Sequence, residues 1–178
     1  MSQLKVDSII PRGGLGSGAS GGIIQTISTT KRDTFSQSMN ANTVSNDMGL
    51  NVTITPQSSS SKILVMVQVT IGLGTDDHVG FVLLRGGSVI SDYSPDSPGS
   101  RTTFASGSST RASNYPVGLS GCFLDSPSTT SSTTYSVRIK YGRGANDQTI
   151  HLNRGGGDDN AIYRQRATST ITAMEVTG

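Results

Sequence analysis

The chain has 178 residues, with 14 Lys and Arg against 12 Asp and Glu for a formal charge of +2, and only 15% of its residues are charged. Its 28 Ser, 21 Thr and 22 Gly together fill 71 positions. Residues of this kind favour strands, turns and surfaces, which excludes a helical bundle. Hydrophobic residues make up 33%, and no apolar run approaches the roughly 20 residues that cross a bilayer, so no membrane insertion is expected.

Met1 through Pro11 lack the basic start, apolar centre and small-residue cleavage site of a secretory signal, and assembly in a cytoplasm is expected. A single cysteine, Cys122, excludes an internal disulfide framework and a zinc site built on several thiolates. Set in Gly121-Cys122-Phe123-Leu124, it reads as a small buried apolar residue. Basic residues are thinly spread, with no run longer than Lys31-Arg32, and Trp is absent. Neither a many-phosphate footprint nor a stacking platform is supplied, so no nucleic-acid partner is expected. A chain this poor in apolar residues buries little core alone, which points to stabilisation by oligomerisation.

Two parts are distinct. In residues 1–22, Leu4, Val6, Ile9 and Ile10 form a short apolar segment closed by Pro11, and a glycine-rich linker follows. This reads as a sticky peptide on a tether. Residues 23–178 read as a series of short strands. Residues 23–30 alternate loosely, residues 50–55 alternate strictly up to Pro56, and residues 62–73 carry Ile63, Leu64, Val65, Met66, Val67, Val69 and Ile71. That near-continuous run predicts a central strand covered on both faces. Residues 81–85 and 89–91 flank Gly86-Gly87, a hairpin signal. A long connection over 92–116 is expected to hold a short strand near Arg101 to Phe104. Strands are predicted over 117–124, 135–141 and 148–152, with a loop over 155–160. A last strand over 169–176 would carry Ile171, Ala173 or Met174, and Val176. Eight to ten such strands without a helix predict an all-β fold, a jelly-roll β-sandwich with an extended N-terminal arm.

Chemistry-bearing constellations are sparse. The histidines are His78 and His151, Glu175 is the only glutamate, and no Gly-x-Ser-x-Gly turn occurs, so no enzyme is expected. Asp76-Asp77-His78 and Asp158-Asp159 fall in predicted loops, where acidic pairs read as solvated turn formers rather than as a calcium site. No metal or cofactor is therefore assigned. The glycine stretch over 13–22 lacks the Gly-Lys-Ser/Thr ending of a phosphate cradle. Tyr93, Tyr115, Tyr163, Arg111, Arg143, Arg154 and Asn160 lie in or beside connections, a composition that grips polar partners. The candidate contact surface for a glycan or protein is Asp76, Asp77, His78, Arg111, Tyr115, Arg154, Asp158, Asp159 and Asn160.

Three segments carry a resemblance: residues 4–11; residues 50–69 with Val52-Thr53-Ile54-Thr55-Pro56 and Ser61-Lys62-Ile63-Leu64-Val65; and Phe123-Leu124-Asp125-Ser126-Pro127 leading to Thr134-Tyr135-Ser136-Val137, with the ending 169–176. In these the chain resembles small virion proteins of marine cyanobacterial and related bacteriophages, whose C-terminal jelly roll is similar to the tumour-necrosis-factor and complement C1q group. The resemblance implies a homotrimer, attached through the N-terminal peptide to a capsid, neck or tail component of the virion. Leu4, Val6, Ile9, Ile10 and Pro11 would be the virion anchor. No shaft separates anchor from domain, which favours a short fibre, a fibre tip or a capsid decoration protein that stabilises the head without binding a receptor.

Overall fold

The computed structural model describes residues 22–96, 99–110, 115–142 and 147–177. Within them the strands are β1 (Ile23–Lys31), β2 (Phe35–Met39), β3 (Asn51–Ile54), β4 (Lys62–Leu73), β5 (Asp77–Arg85), β6 (Ser88–Val89), β7 (Ser106–Thr110), β8 (Val117–Asp125), β9 (Thr133–Tyr141), β10 (Gln148–Leu152) and β11 (Ser169–Val176). The long connection after β6 holds a 3-10 turn at Ser91–Tyr93. All named strands pair antiparallel. One sheet runs β1-β11-β4-β8 and the other β3-β9-β5-β7. The first strand lies beside the last, and the sheets interleave as two Greek keys, which is a jelly-roll sandwich. β10 and β2 extend the first sheet, and the two-residue β6 closes against β5. Gly86 and Gly87 both have positive φ, +56° and +87°, the conformation that a two-residue hairpin turn requires.

Several expectations are corrected. The first half of β4 is covered on one face only: Ile63, Val65 and Val67 point into the sandwich, whereas Leu64, Met66 and Gln68 point out. Met66 is 45% exposed, and Leu124 of β8 on the same face is 47% exposed. Cys122 is exposed rather than buried, because β8 places Leu119 inward and Cys122 falls on the opposite phase, beside Met66. In β11 the inward residues are Ile171, Ala173 and Glu175, so Val176 faces outward. The short strand of the long connection is Ser106–Thr110 and not 101–104. It contains no apolar residue and is held by pairing with β5 from Asp77↔Thr110 to Phe81↔Ser106. β2 was not foreseen either, since only Phe35 and Met39 at its ends are apolar.

The core lies between the sheets. Ile63, Val65, Val67, Val69 and Ile71 of β4 join Val79, Phe81 and Leu83 of β5, and Tyr135, Val137, Ile139 and Tyr141 of β9, in one buried cluster. Each such side chain contributes about 1.5–3 kcal/mol by leaving water. Tyr93 is partly buried and packs against this cluster, its ring stacked on Phe123 at 4.9 Å.

Register fixes two poles. At the near pole lie the start of β1, the end of β11, and the loops 55–61 and 126–132, as the pairs Ile23↔Val176, Ile63↔Asp125 and Ile54↔Thr133 require. At the far pole lie the ends of β1, β4, β7 and β9 and the connections that follow β1, β4 and β10, as Lys31↔Ser169, Ile71↔Val117, Leu152↔Ile71, Asp77↔Thr110 and Val79↔Tyr141 require.

The first sheet forks toward the far pole. β11 pairs with β4 only as far as Gln68, and β10 takes over the same edge from Ile71. Asn153 fills the fork. It is fully buried with φ 63°, a left-handed conformation that asparagine tolerates. Its Nδ2 donates to the carbonyls of Lys31 and Asp33, both at 2.9 Å, and its Oδ1 accepts from Ser169 Oγ at 2.6 Å. Its own N–H donates to Thr70 O, and its carbonyl accepts from Ala167 N. Ser169 Oγ also accepts from Thr70 N at 3.0 Å. The backbone groups released where strands part are thus paired without water. Asn153→Ala should lower unfolding free energy by about 3–5 kcal/mol. Asn153→Asp, which keeps the shape and loses both donors, should do nearly as much, as read by urea denaturation. A change below about 1 kcal/mol in both variants would remove Asn153 as the pin of the fork.

Candidate functional site

The candidate contact residues within the described range gather at the far pole, although they are far apart in sequence. Asp76 is exposed in the short connection from β4 to β5. Asp77 begins β5 and is buried: its Oδ2 accepts from Tyr141 Oη at 2.6 Å and its Oδ1 from His78 N at 2.7 Å. It therefore closes the end of the second sheet and presents no surface to a ligand. His78 follows it outward, with Nδ1 3.5 Å from Asp77 Oδ1. Tyr115 is 55% exposed just before β8. Arg111, Arg143 and the anchor residues Leu4, Val6, Ile9, Ile10 and Pro11 lie outside the described residues.

The connection over 153–168 is the most constructed part of this pole. From Asn153 the chain leaves the fork, and Arg154 folds back: Nη1 meets the carbonyls of Gly155 and Gly156 at 3.1 and 3.3 Å, and Nη2 donates to Ser36 Oγ at 2.9 Å. Arg166 Nη2 donates to Asp158 Oδ1 at 2.5 Å. Arg164 Nε donates to Asp159 Oδ1 at 2.5 Å, and Tyr163 Oη reaches Asp159 Oδ2 at 3.3 Å. The Arg164 hydrogen bond holds the Asp159 carboxyl below its ordinary value. The Arg164 guanidinium also lies 5.0 Å from the Tyr163 ring centroid. These pairs clamp a loop whose tip, Ile162, is fully exposed beside the half-exposed Tyr163 and the exposed Asn160. Sequence reasoning singled out Tyr163 and the acidic pair but missed Arg164, Arg166 and Ile162. The signal was present as an Asp pair flanked on both sides by arginines after a run of three glycines, which reads as a loop and not as a clamp.

Ser36 Oγ lies 2.9 Å from His151 Nδ1. The imidazole is buried, and the same hydroxyl accepts from Arg154, so the trio fastens the loop to β2 and β10. Asp158 and Asp159 are committed to arginines. Among the described residues no three His, Cys, Asp or Glu side chains are grouped to hold a metal ion. What this pole offers is a surface of Tyr, Arg, Asn and Ile held in place by ion pairs and hydrogen bonds.

Burial, with the Arg154 charge beside it, pushes the His151 imidazole down to about 4, and Asp158 offsets part of that. Because the folded state resists protonation, the unfolded chain takes up the proton first as pH falls. Stability should therefore be level above the unfolded value of 6.5 and decline between 6.5 and about 4. The urea midpoint followed against pH should show this decline, and His151→Gln should flatten it within that window. A wild-type midpoint level across it would contradict the burial of His151.

Compared with protein-family models and with curated proteins, the chain matches none of either.

Proposed function

We propose that the chain is a bacteriophage virion structural protein, assembled in the host cytoplasm, in which residues 1–22 attach to a capsid, neck or tail component and residues 23–178 form a homotrimeric head that contacts the host surface. One observation carries the reading: β1 begins at the near pole, while the candidate contact residues lie at the opposite, far pole. A domain tethered through its N-terminal peptide then directs its constructed loops away from its support. The near pole is correspondingly closed. Asp125 accepts from Arg85 Nη1 at 2.7 Å and from Tyr135 Oη at 2.6 Å, tying the two sheets together. Burial and the Asp125 bond push the Tyr135 hydroxyl up, which keeps it a donor. Glu175 accepts from Gln25 Nε2 at 2.6 Å and Gln57 N at 2.7 Å. Burial alone would raise its carboxyl, yet these bonds with those from Ser61 and Ser58 hold it below the ordinary value.

The outer face of the first sheet supports the oligomer. β4 has the sequence of a strand covered on both faces, and the described residues cover only one. Leu64, Met66, Cys122, Leu124, Met174 and Val176 form the uncovered apolar area, with Leu64↔Met174, Leu64↔Leu124 and Met66↔Cys122 as cross-strand neighbours. Above it lie Gln68, Thr70, Ser120, Thr170 and Thr172, and Lys62, paired with Val176, stands at its near-pole edge. A face whose centre carries no charge can meet another copy of itself with Lys62 kept to the rim.

The native mass of the full chain, and of the chain beginning at Ile23, should be three times the monomer, which is 18.5 kDa for the full chain. Met66→Asp with Leu124→Asp should give a folded monomer. A monomer without these substitutions would contradict the reading. Serine at Leu4, Val6, Ile9 and Ile10 should leave the trimer intact and abolish incorporation into particles, whereas normal occupancy would remove the anchor. Particles lacking the protein should adsorb poorly to host cells; normal adsorption with lowered heat stability would assign a cementing role instead.

A further inference from the structure

Between β10 and β11 the chain runs from Asn153 to Ser169, and both ends are pinned in the fork by the 2.6 Å bond from Ser169 Oγ to Asn153 Oδ1. The connection between them folds back over the outer face of the first sheet. A Cβ on Gly72 of β4 would collide with Arg154 O and Gly155 Cα, so their backbone lies directly on the bare strand. His151 is the cross-strand partner of both Gly72 and Ser36, and it points outward, on the opposite phase from the core residues Ile150 and Leu152. It is nevertheless only 5% exposed, because the connection crosses it. The clamps of Arg164 on Asp159 and Arg166 on Asp158 run within the connection, so they shape it as one strap without tying it to the sheet.

The strap meets the sheet through Arg154. Its Nη2 and the Nδ1 of His151 converge on Ser36 Oγ, each at 2.9 Å. With a neutral imidazole the hydroxyl gives its proton to Nδ1 and takes the N–H of Arg154, and all three groups are matched. A protonated imidazole carries an N–H at Nδ1 as well. Ser36 Oγ would then face two donors, its own proton would lose its acceptor, and a second positive charge would lie beside the guanidinium. The charged groups that bear on His151 are Arg154 and Asp158, both in the strap, while β2 and the paired part of β4 present none. Asp158 offsets part of the repulsion from 3.9 Å beyond Arg154 Nε, with its Oδ1 held by Arg166. Arg154 Nε is itself buried without a hydrogen-bond partner, so the closed strap already carries a cost.

We propose that the connection over 154–168 is an acid-released strap: protonation of His151 unseats Arg154 from Ser36 and lets the strap lift off β4 and β10 while the fork keeps both its ends. Lifting brings water to the imidazole, which titrates near its ordinary 6.5 when open and at about 4 when covered. The ratio of open to closed strap should therefore rise roughly 30-fold from pH 7.5 to pH 5. Asn160, Ile162 and Tyr163 ride on the strap, so acid displaces that part of the candidate contact surface. The device is independent of what the far pole contacts.

The test is hydrogen exchange followed by mass spectrometry on the full chain at pH 7.5 and pH 5, with rates corrected for the intrinsic pH dependence of amide exchange. Peptides from 153–168 should exchange faster than those of β4 and β9 at both pH values, because lifting is local, and their opening should rise roughly 30-fold in acid. His151→Gln, which takes up no proton at either pH, should hold that rise below about threefold. Gly72→Ala should open the strap already at pH 7.5, since its Cβ takes the space of Arg154 O and Gly155 Cα. Strap peptides as slow as those of β4 and β9 would show that the connection opens only with the whole domain, and would overturn the proposal. So would an opening that stays level in acid, an equal rise in His151→Gln, or unchanged exchange in Gly72→Ala. Where either variant fails to fold, the wild-type contrast between strap and sheet at the two pH values decides.

Discussion

The structure depends on how one long strand shares its edges. β4 pairs with β8 along one side from Ile63 to Ile71, and divides its other side between β11 and β10. At that division the hydrogen-bonding ladder would leave backbone groups unpaired inside the protein, and burial of such groups is costly. Asn153 and Ser169 supply the missing partners through side chains. The fork is what allows β2 and β10 to widen the sheet at the far pole, and from it the clamped connection over 153–168 departs. The connection that carries the candidate surface is thus anchored at a buried, hydrogen-bonded junction.

A chain with so little apolar material uses polar groups to close its sandwich. Tyr135 and Tyr141 stand at the two ends of β9, and each donates to a buried aspartate, Asp125 at the near pole and Asp77 at the far pole. Glu175 gathers Gln25 and the 55–61 loop. Buried charges of this kind are sustained only when fully hydrogen-bonded, and that requirement specifies one arrangement of the loops around them. The two poles diverge in consequence. At the near pole the carboxylates face inward and fasten loops; at the far pole Asp158 and Asp159 remain at the surface and hold arginines in place.

Much of the fold is legible in the sequence because alternation survives wherever one face is buried. Residues 62–73, 117–124, 148–152 and 169–176 are strands within a residue of expectation. Legibility ends where pairing, not patterning, makes the strand. Ser106–Thr110 has no apolar residue to mark it, and Phe35–Met39 has apolar residues only at its ends. The run from Ile63 to Val67 was over-read, because an outward apolar row and an inward one look alike in sequence and differ only in what covers them. Asp77 and Asn153 were hidden for another reason. Their partners lie far along the chain, Tyr141 for one and Lys31 and Asp33 for the other, and a single sequence carries no sign of such pairs. The far-pole cluster itself was half legible: the residue types were recognisable, and their convergence needed the topology.

The functional account joins these features into a polarity, with attachment at one pole and contact at the other. Labelling on assembled particles tests that polarity directly. In a Cys122→Ser background, a cysteine at Ile162 marks the far pole and one at Thr130 marks the near pole, and both positions are exposed in the isolated chain. On particles, a membrane-impermeant maleimide should label Ile162→Cys as fast as in the free protein, and Thr130→Cys at least tenfold more slowly, a shielding worth about 1.4 kcal/mol. Equal labelling at both positions, or faster labelling at Thr130→Cys, would contradict the account.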